Sequence, residues 1–409
     1  MTAPRFIRYI FLHILFFIAG LIPRDRNIWV FGALGQFGGN SRYVFLFNAS
    51  GGKVRKIWLA RDKNLVILLR SRGLLAHDLC SLAGIYYALR GGVYVYNIFS
   101  HYDINYFLSN GARRVNLWHE TPVKKGGSDT DLKANYFYKV HHGDIWQKLY
   151  YRFFTPWETE KTDMVICTSP RTQEIMRGVF GRRAKEIVIT GYPHNDVFMA
   201  KQTFLLREEE ELVEQWRALR SKGEKIILYM PTYRDTKVAN AEPIDINIKW
   251  GELNAFLKAH NSHFVLKLHP IDTTDHGFLK IYDRIMVVKN NVDVYPAFPQ
   301  VDALITDYSS VFYDFLLMSR PVVFYCYDLK EYQGRHRTLY DDFIKNSPGP
   351  MVEEFPQLLE ALKGLLDKNS ALYKRSLKQV EEAKAQAHQY QDAGSSGRVH
   401  DRILERSVT

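Results

Sequence analysis

The sequence is poor in cysteine and lacks several short motifs that mark common catalytic classes. Cys80, Cys167 and Cys326 lie far apart in a chain of 409 residues, and no pair has zinc-ligand or redox spacing. The last two sit inside apolar runs, which predicts buried free thiols in a reducing compartment. A Walker loop and a serine-hydrolase elbow are also missing. Nothing in the sequence therefore predicts a metal or a cofactor.

The charge is unbalanced but not concentrated. The chain has 55 Lys and Arg against 44 Asp and Glu, a formal net charge of +11, which implies an anionic partner. The basic residues form no long arm, and neither a zinc-finger nor a basic-zipper pattern is present. We therefore expect a phosphorylated substrate or an anionic membrane surface, and no nucleic acid.

The N-terminus contains an apolar stretch from Phe6 to Ile22 that is interrupted by Arg8 and His13. Arginines flank it on both sides, and no small-residue cleavage site of a signal peptide follows it. The stretch is short for a membrane span, which needs about 20 mostly apolar residues. A helix that lies in the membrane interface is favoured over a buried first helix of the domain, and both are favoured over a span.

Short apolar runs alternate with helical patterns along the chain, which predicts α/β architecture with parallel sheets. A charged helical pattern from Gln202 to Gly223 separates two such series, so we place a domain junction near 196–201. Two successive doubly wound halves would leave a cleft between them. The predicted strands are Ile28–Phe31, Lys56–Ala60, Val93–Tyr96, Val115–Trp118, Met164–Cys167, Ile187–Thr190, Ile226–Met230, Phe264–Leu268, Ile285–Val288, Ala303–Thr306 and Val322–Tyr325.

Polar residues follow five of these strands directly. In open parallel sheets, ligands bind beyond the carboxyl ends of the strands. Five strand ends that carry His, Lys, Arg, Thr, Asp and Ser therefore predict a shared polar cleft. These strand-end residues include His119 and Lys124, His194 to Asp196, Thr232 and Arg234, His269, and Asp307 to Ser310.

Two of the strand ends suggest phosphate chemistry. Ser309 and Ser310 follow Asp307 at the start of a predicted helix, where free N–H groups and hydroxyls favour a phosphate. Ordinary helix capping explains the same serines equally well. Ser395 and Ser396 offer the same chemistry before the last helix, with a flexible linker as the alternative.

Two histidines and one arginine are candidates for the reaction itself. His119 is the candidate general base, because histidine titrates near neutral pH and can take a proton from an attacking hydroxyl. His269 could donate to a phosphate or to a leaving group, and Arg234 could bind a phosphate with two hydrogen bonds. The structural alternatives are a strand-end histidine, a backbone cap beside Pro270, and a surface ion pair with Asp235.

The strand-end motifs together resemble those of the CDP-glycerol glycerophosphotransferase family, the teichoic acid primases and polymerases. In order along the chain they span from about Ile28 to the C-terminal helix. The matching segments are Trp118-His119-Glu120-Thr121-Pro122-Val123-Lys124, Gly191-Tyr192-Pro193-His194-Asn195-Asp196, Pro231-Thr232-Tyr233-Arg234-Asp235, Leu268-His269-Pro270, Leu304-Ile305-Thr306-Asp307-Tyr308-Ser309-Ser310, Tyr325 to Tyr332 and Pro348-Gly349-Pro350.

The resemblance implies a GT-B-type pair of Rossmann-like domains facing a central cleft. Residues 1–27 would form a membrane-associated segment, 28–199 the acceptor domain, 200–385 the domain for a CDP-activated donor, and 386–409 a closing helix. An acceptor hydroxyl would attack the β-phosphorus of CDP-glycerol or CDP-ribitol and release CMP. The acceptor would be a lipid-linked or polymeric glycan at the cytoplasmic face of the membrane.

The resemblance also implies roles for individual residues. His119 would be the base, and His269 a second catalytic histidine. The donor diphosphate would be surrounded by His269, Thr232, Arg234, Ser309, Ser310, Ser395 and Ser396, with Lys124 and Asp307 completing the predicted substrate-binding set.

Two residues depart from the family pattern, and two other functions compete with the predicted one. Glu120 replaces a glycine beside the base and His194 replaces an arginine, which leaves the acceptor open more than the reaction class. A GT-B glycosyltransferase would share the fold but would attack the anomeric carbon of a nucleotide-sugar. A membrane-bound binder of anionic polymers would need neither His119 nor His269.

Overall fold

The chain divides into two compact units, each built on its own parallel sheet. The computed structural model describes residues 3–48, 54–133, 135–200, 204–232, 247–269, 272, 276–329, 332, 338–340, 343 and 347–405. The first unit comprises residues 1–121, 126–200 and 389–409, and the second comprises 122–125 and 201–388.

The first unit contains a seven-stranded sheet in which all neighbouring strands are parallel. Its strands are β1 (Asp25–Phe31), β2 (Arg55–Ala60), β3 (Ala76–Asp78), β4 (Gly91–Tyr96), β5 (Arg113–Asn116), β6 (Thr162–Cys167) and β7 (Ala184–Ile189). The order across the sheet is β3-β2-β1-β4-β5-β6-β7. The strand order therefore reverses between β1 and β4.

Helices connect the parallel strands of the first unit, as crossover connections require. The α-helices of this unit, numbered in chain order, are α1 (Ala3–Leu21), α2 (Gly39–Leu46), α3 (Lys63–Ser71), α4 (Leu82–Arg90), α5 (Ser100–Asp103), α6 (Tyr136–His142), α7 (Ile145–Phe154), α8 (Pro170–Phe180) and α14 (Ser395–Glu405). The central strand β4 is buried along its whole length, which explains its continuous apolar and aromatic sequence.

The second unit contains a six-stranded parallel sheet in the order β10-β9-β8-β11-β12-β13. Its strands are β8 (Lys225–Met230), β9 (Ser262–Lys267), β10 (Ile285–Val288), β11 (Ala303–Thr306), β12 (Val322–Tyr325) and β13 (Met351–Val352). Its α-helices are α9 (Arg207–Ser221), α10 (Trp250–Ala259), α11 (Val311–Phe315), α12 (Phe355–Leu366) and α13 (Ala371–Ala387). The order reverses here between β8 and β11.

All eleven predicted strands are present, so the predicted α/β class with parallel sheets is confirmed. The short strands β3 and β13 were missed, because three and two residues are too few to show a pattern in the sequence. The described residues from Phe355 onwards form three helices. The sequence predicts a break in this helical stretch from Asp392 to Gly397, but the break is shorter. α14 already begins at Ser395, so both serines lie in its first turn.

Helix α1 is long and apolar enough to cross a membrane, by length and composition, from Pro4 to Leu21, and no other helix in the described part of the chain is. One side of it packs on aromatic residues of the first unit. The ring of Phe16 stacks on that of Tyr106, with 4.7 Å between the centroids, and His13 Nε2 lies 2.9 Å from the carbonyl of Phe153. The other side carries exposed apolar residues.

A buried carboxylate shapes the loop after β4. Asp103 Oδ2 accepts hydrogen bonds from the backbone N–H groups of Asn97 and Ile98, both at 2.8 Å. Burial raises the pKa of Asp103 from 3.8 to about 7, although these N–H groups act in the opposite direction. Folded protein therefore keeps a proton between about pH 4 and 7 that the unfolded chain releases.

The variant Asp103→Asn should gain stability relative to the native protein as the pH rises from 5 to 7. By linkage, the native protein loses at most about 1.4 kcal/mol per pH unit in this window through Asp103, whereas the amide does not titrate. Urea unfolding at pH 5, 6, 7 and 8 measures the difference, and the exposed Asp401→Asn is the control. Parallel stability profiles for Asp103→Asn and the native protein would contradict the assignment.

Candidate active site

His119, Thr232 and Ser309 each lie beyond the carboxyl end of a strand at, or next to, the reversal of strand order in their unit. Such switch points are where open α/β sheets bind their ligands. In the first unit, α2 begins after β1, and His119 follows β5, which pairs with β4. In the second unit, Thr232 follows β8 and Ser309 follows β11.

His119 is accessible and has a carboxylate beside it. Its side chain is 39% exposed, and its Nε2 lies 3.7 Å from Glu120 Oε1. This separation suits an electrostatic contact and is long for a hydrogen bond. The ring of Trp118 lies beside the imidazole, with 4.8 Å between the centroids. Glu120 can therefore stabilise an imidazolium that forms when His119 takes up a proton.

The loop after β7 supports this segment. The hydroxyl of Tyr192 donates a 2.7 Å hydrogen bond to the carbonyl of Glu120. Tyr192 is fully buried, so its hydroxyl position is fixed by packing. Tyr192, within the motif Gly191-Tyr192-Pro193-His194-Asn195-Asp196, thus holds the backbone next to His119, a contact that no local sequence pattern predicts.

Ser395 and Ser396 are buried in the first unit, at the start of α14. Their backbone N–H groups donate to the two carboxylate oxygens of Asp196, at 2.9 and 2.7 Å. Burial raises the pKa of Asp196, and the bonds from both serines act against this. A carboxylate from the chain itself thus occupies the position at the helix N-terminus that the sequence suggested for a phosphate. Contact of these serines with a donor diphosphate stays a prediction.

The second unit places Thr232 on a buried carboxylate. The backbone N–H and the hydroxyl of Thr232 both donate to Asp307 Oδ1, at 2.8 and 2.6 Å. Asp307 is fully buried at the end of β11, next to β8. Asp307 therefore ties together the ends of the two strands that flank the reversal, and it fixes the orientation of Thr232.

Ser309 and Ser310 lie after β11 and are partly exposed. Ser310 is the N-cap residue of α11, but its side chain makes no capping hydrogen bond. Of the two serines for which capping was the alternative, Ser310 does not cap the helix, whereas Ser309 Oγ accepts the N–H of Val311 at 3.5 Å. Tyr308 lies between Asp307 and the two serines in the sequence. Its hydroxyl donates to Asp328 Oδ1 at 3.1 Å, and its ring stacks on that of Tyr332.

The remaining predicted residues are placed as follows. His269 is exposed two residues after β9, and its carbonyl accepts a hydrogen bond from the N–H of Asp272 at 2.9 Å. Lys124 belongs to the second unit, where it pairs in an antiparallel bridge with Leu339. Arg234 lies outside the described residues.

Two parallel-sheet α/β units, with histidines and hydroxyls at the strand ends, are the architecture that GT-B-type transferases have. The model of the family described as CDP-Glycerol:Poly(glycerophosphate) glycerophosphotransferase matches residues 14–405. The chain belongs to this family. The family and the reaction class predicted from the motifs are thereby confirmed.

Individual relatives agree with this membership. The chain is similar to a teichoic acid poly(glycerol phosphate) polymerase of Bacillus spizizenii, at 29% identity over 85% of this chain and 86% of that protein. It is 30% identical to a teichoic acid glycerol-phosphate transferase of Staphylococcus aureus, over 61% of each. A teichoic acid ribitol-phosphate primase of Bacillus spizizenii is 28% identical over 59% of each.

A solved structure shares the fold of the whole chain. The wall teichoic acid polymerase TagF superposes with a TM-score of 0.70 at 20% sequence identity, and the match covers 100% of this chain and 99% of that chain. Both parallel-sheet units are thus part of one known architecture.

The variant Asp196→Ala should loosen α14, because it removes the acceptor of two N–H groups in its first turn. We expect a loss of about 1–2 kcal/mol, as for other helix caps. Peptide-level hydrogen exchange across Ser395 and Ser396 measures the effect directly. Asp401→Ala, which removes an exposed carboxylate from the same helix, should leave the exchange unchanged. Equal protection in both variants would show that Asp196 does not hold the helix.

Proposed function

We propose that the chain transfers a polyol phosphate from a CDP-polyol to a hydroxyl of a cell-surface glycan acceptor, with His119 as the general base. The observation that carries this proposal is an accessible histidine beside a carboxylate, at the carboxyl end of a buried sheet, in a member of this family. Relatives are named for glycerol phosphate and for ribitol phosphate. Both donors are therefore candidates.

The proposed reaction is a direct displacement at phosphorus. His119 takes the proton from the acceptor hydroxyl as the oxygen attacks the β-phosphorus of the donor. A new phosphodiester bond forms, the bond from the β-phosphorus to the bridging oxygen breaks, and CMP leaves. Glu120, 3.7 Å from His119 Nε2, stabilises the imidazolium that results.

The second unit is proposed to bind the donor diphosphate. Ser309, Ser310 and His269 are at least partly exposed at its strand ends, and Asp307 orients Thr232 at the same edge. Hydroxyl and imidazole groups donate hydrogen bonds, and phosphate oxygens accept them readily. Lys124 and Arg234 are proposed to add positive charge.

The first experiment is CMP release by the purified protein in detergent, with CDP-glycerol and CDP-ribitol in parallel and membrane lipid extract as acceptor. We expect release with one donor, and only when extract is present. His119→Ala should lower the rate at least about 100-fold, since a positioned general base contributes this much, while calorimetry shows unchanged donor binding. His77→Ala on the edge strand β3 is the matched control.

Three outcomes would contradict the proposal. Normal turnover by His119→Ala would show that His119 is not the general base. Silence with both CDP-polyols but turnover with a panel of nucleotide-sugars would assign the chain to glycosyl transfer. If the native protein turned over no donor, and if native protein and His119→Ala bound an anionic polymer equally well, the chain would be a non-catalytic binder.

We also propose that α1 and α7 form an interfacial surface that binds an anionic membrane at its cytoplasmic face. Three apolar residues of α1, Phe11, Phe17 and Leu21, are 66%, 65% and 69% exposed. Arg5 and Arg8 lie on the same helix. This combination of exposed apolar area and basic charge is typical of helices that lie in a lipid interface.

Helix α7 extends this surface. Phe153 at its end stacks on Phe6 of α1, with 5.2 Å between the centroids, so the two helices are neighbours. Near its start, Ile145 and Trp146 are 64% and 75% exposed, and Leu149 follows one turn later at 50%. Tryptophan is enriched at membrane–water interfaces, where its polar edge stays hydrated.

The double variant Trp146→Ser/Leu149→Ser should bind vesicles at least about tenfold more weakly, because it removes two buried apolar contacts with lipid. Flotation on phosphatidylcholine vesicles with and without phosphatidylglycerol measures the affinity, and native protein should prefer the anionic vesicles. Leu82→Ser, which changes a leucine of α4 that is 90% exposed, is the control. Unchanged binding by the double variant would exclude α7 from the surface.

A further inference from the structure

We infer that Asn40 is a positioning residue that holds the backbone in front of His119 in the conformation that aims the imidazole. The inference rests on the proposed role of His119 as the base. Asn40 lies in the first turn of α2, after β1, and is fully buried. It is 79 residues away from His119 in sequence, so nothing in the local sequence predicts the connection.

The carboxamide of Asn40 joins three strand-end loops. Its Nδ2 donates to the carbonyls of Leu117 and Trp118, at 3.1 and 2.9 Å. Its Oδ1 accepts from the N–H of His194 at 3.0 Å. Both amide hydrogens and the carbonyl oxygen are therefore used, and each partner belongs to a loop that follows β5 or β7.

The residue held in this way has an unusual backbone conformation. Trp118 has φ of +52°, in the left-handed region that a bulky side chain adopts only when its surroundings enforce it. Its N–H donates to Asn116 Oδ1 at 2.8 Å, and its carbonyl is bound by Asn40. Because Trp118 directly precedes His119, relaxation of its φ to a negative value would swing the imidazole away from its present direction.

The first turn of α2 is itself held by Asn97, a buried residue that follows β4. Asn97 Oδ1 accepts the N–H and the hydroxyl of Ser41, at 2.8 and 3.0 Å. Gly39 has φ of +64°, and a Cβ at this position would lie 2.7 Å from Asn97 Nδ2. Asp103 in turn holds the N–H of Asn97. Asp103 and Asn97 thus hold Ser41 through buried hydrogen bonds, and Ser41 is covalently joined to Asn40, which binds the carbonyl of the residue before the base.

Only asparagine provides this set of bonds at this position. Aspartate has almost the same shape, but its carboxylate cannot donate and would face two carbonyl oxygens. Serine can donate one hydrogen bond, and its shorter side chain cannot reach both carbonyls. Asn40→Asp therefore removes the donors at nearly constant volume, whereas Asn40→Ser removes volume and one donor without adding a charge. Asn40→Ser carries the test if the aspartate variant does not fold.

The kinetic test uses CMP release by the full-length protein. We expect both variants to lower kcat at least about tenfold, with KM for the CDP-polyol within about twofold of the native value. Combined with His119→Ala, Asn40→Asp should cause no further loss, because it acts through the base that is already absent. Asn27→Asp, an exposed residue of β1, is the control. Multiplicative losses in the double variant, or unchanged kcat in the single variants, would overturn the inference.

A second readout does not depend on turnover. Diethyl pyrocarbonate modifies accessible neutral imidazoles, and mass spectrometry reports the rate at each histidine. We expect Asn40→Asp to change the rate at His119 and its pH dependence, and to leave the rate at His77 unchanged. If no CDP-polyol is turned over but this change appears, the proposed function fails while the positioning of His119 stands. An unchanged rate at His119 would overturn the positioning role.

Discussion

Parallel sheets with buried strands impose the main constraint on this chain. Because parallel strands all end at the same edge, residues that are far apart in sequence are delivered to one place without any contact between their local segments. The reversal of order between β1 and β4, and between β8 and β11, opens that edge in each unit. The exposed polar residues found there need no burial of their own, since the apolar strands behind them supply the stability.

Buried polar bonds then set the direction of each loop. Apolar packing fixes where β5 and β11 end, but it does not decide which way the next three residues turn. Asn40 orients the loop after β5 and Asp307 orients the loop after β8, while Asp196 holds the start of α14, each through two or more buried hydrogen bonds. A buried group of this kind is costly when a partner is lost, so it specifies one loop conformation sharply.

The two ends of the proposed chemistry differ in how they are supported. His119 is exposed, and its backbone is held by buried side chains from the loops after β1 and β7. The hydroxyls of Ser309 and Ser310 instead follow a strand directly, and Tyr308 anchors them through Asp328 and Tyr332. The backbone beside His119 is therefore held by side chains from loops far away in the sequence, whereas Ser309 and Ser310 follow β11 directly and depend on the anchoring of Tyr308.

The strands and the motifs at their ends could be predicted from the sequence, because a buried parallel strand must be apolar over four or more residues and its end is marked by the first polar ones. Strands β3 and β13 could not, since two or three residues carry no such pattern. The start of α14 was misjudged for a related reason. Glycine and serine at this place predict a flexible linker. The structure forms a helix there because Asp196, about 200 residues earlier, accepts hydrogen bonds from its first N–H groups.

The sequence by itself determined the α/β class, the family and the identity of the residues at the strand ends. It did so because hydrophobic period and local motif are properties of contiguous residues. Only the tertiary structure decided that Asn40 binds the carbonyls before His119, that Trp118 adopts a left-handed conformation, and that Asp307 is used to hold Thr232. Hydrogen bonds between distant loops leave no periodic trace in a chain, because their partners are chosen by the sheet that brings the loops together.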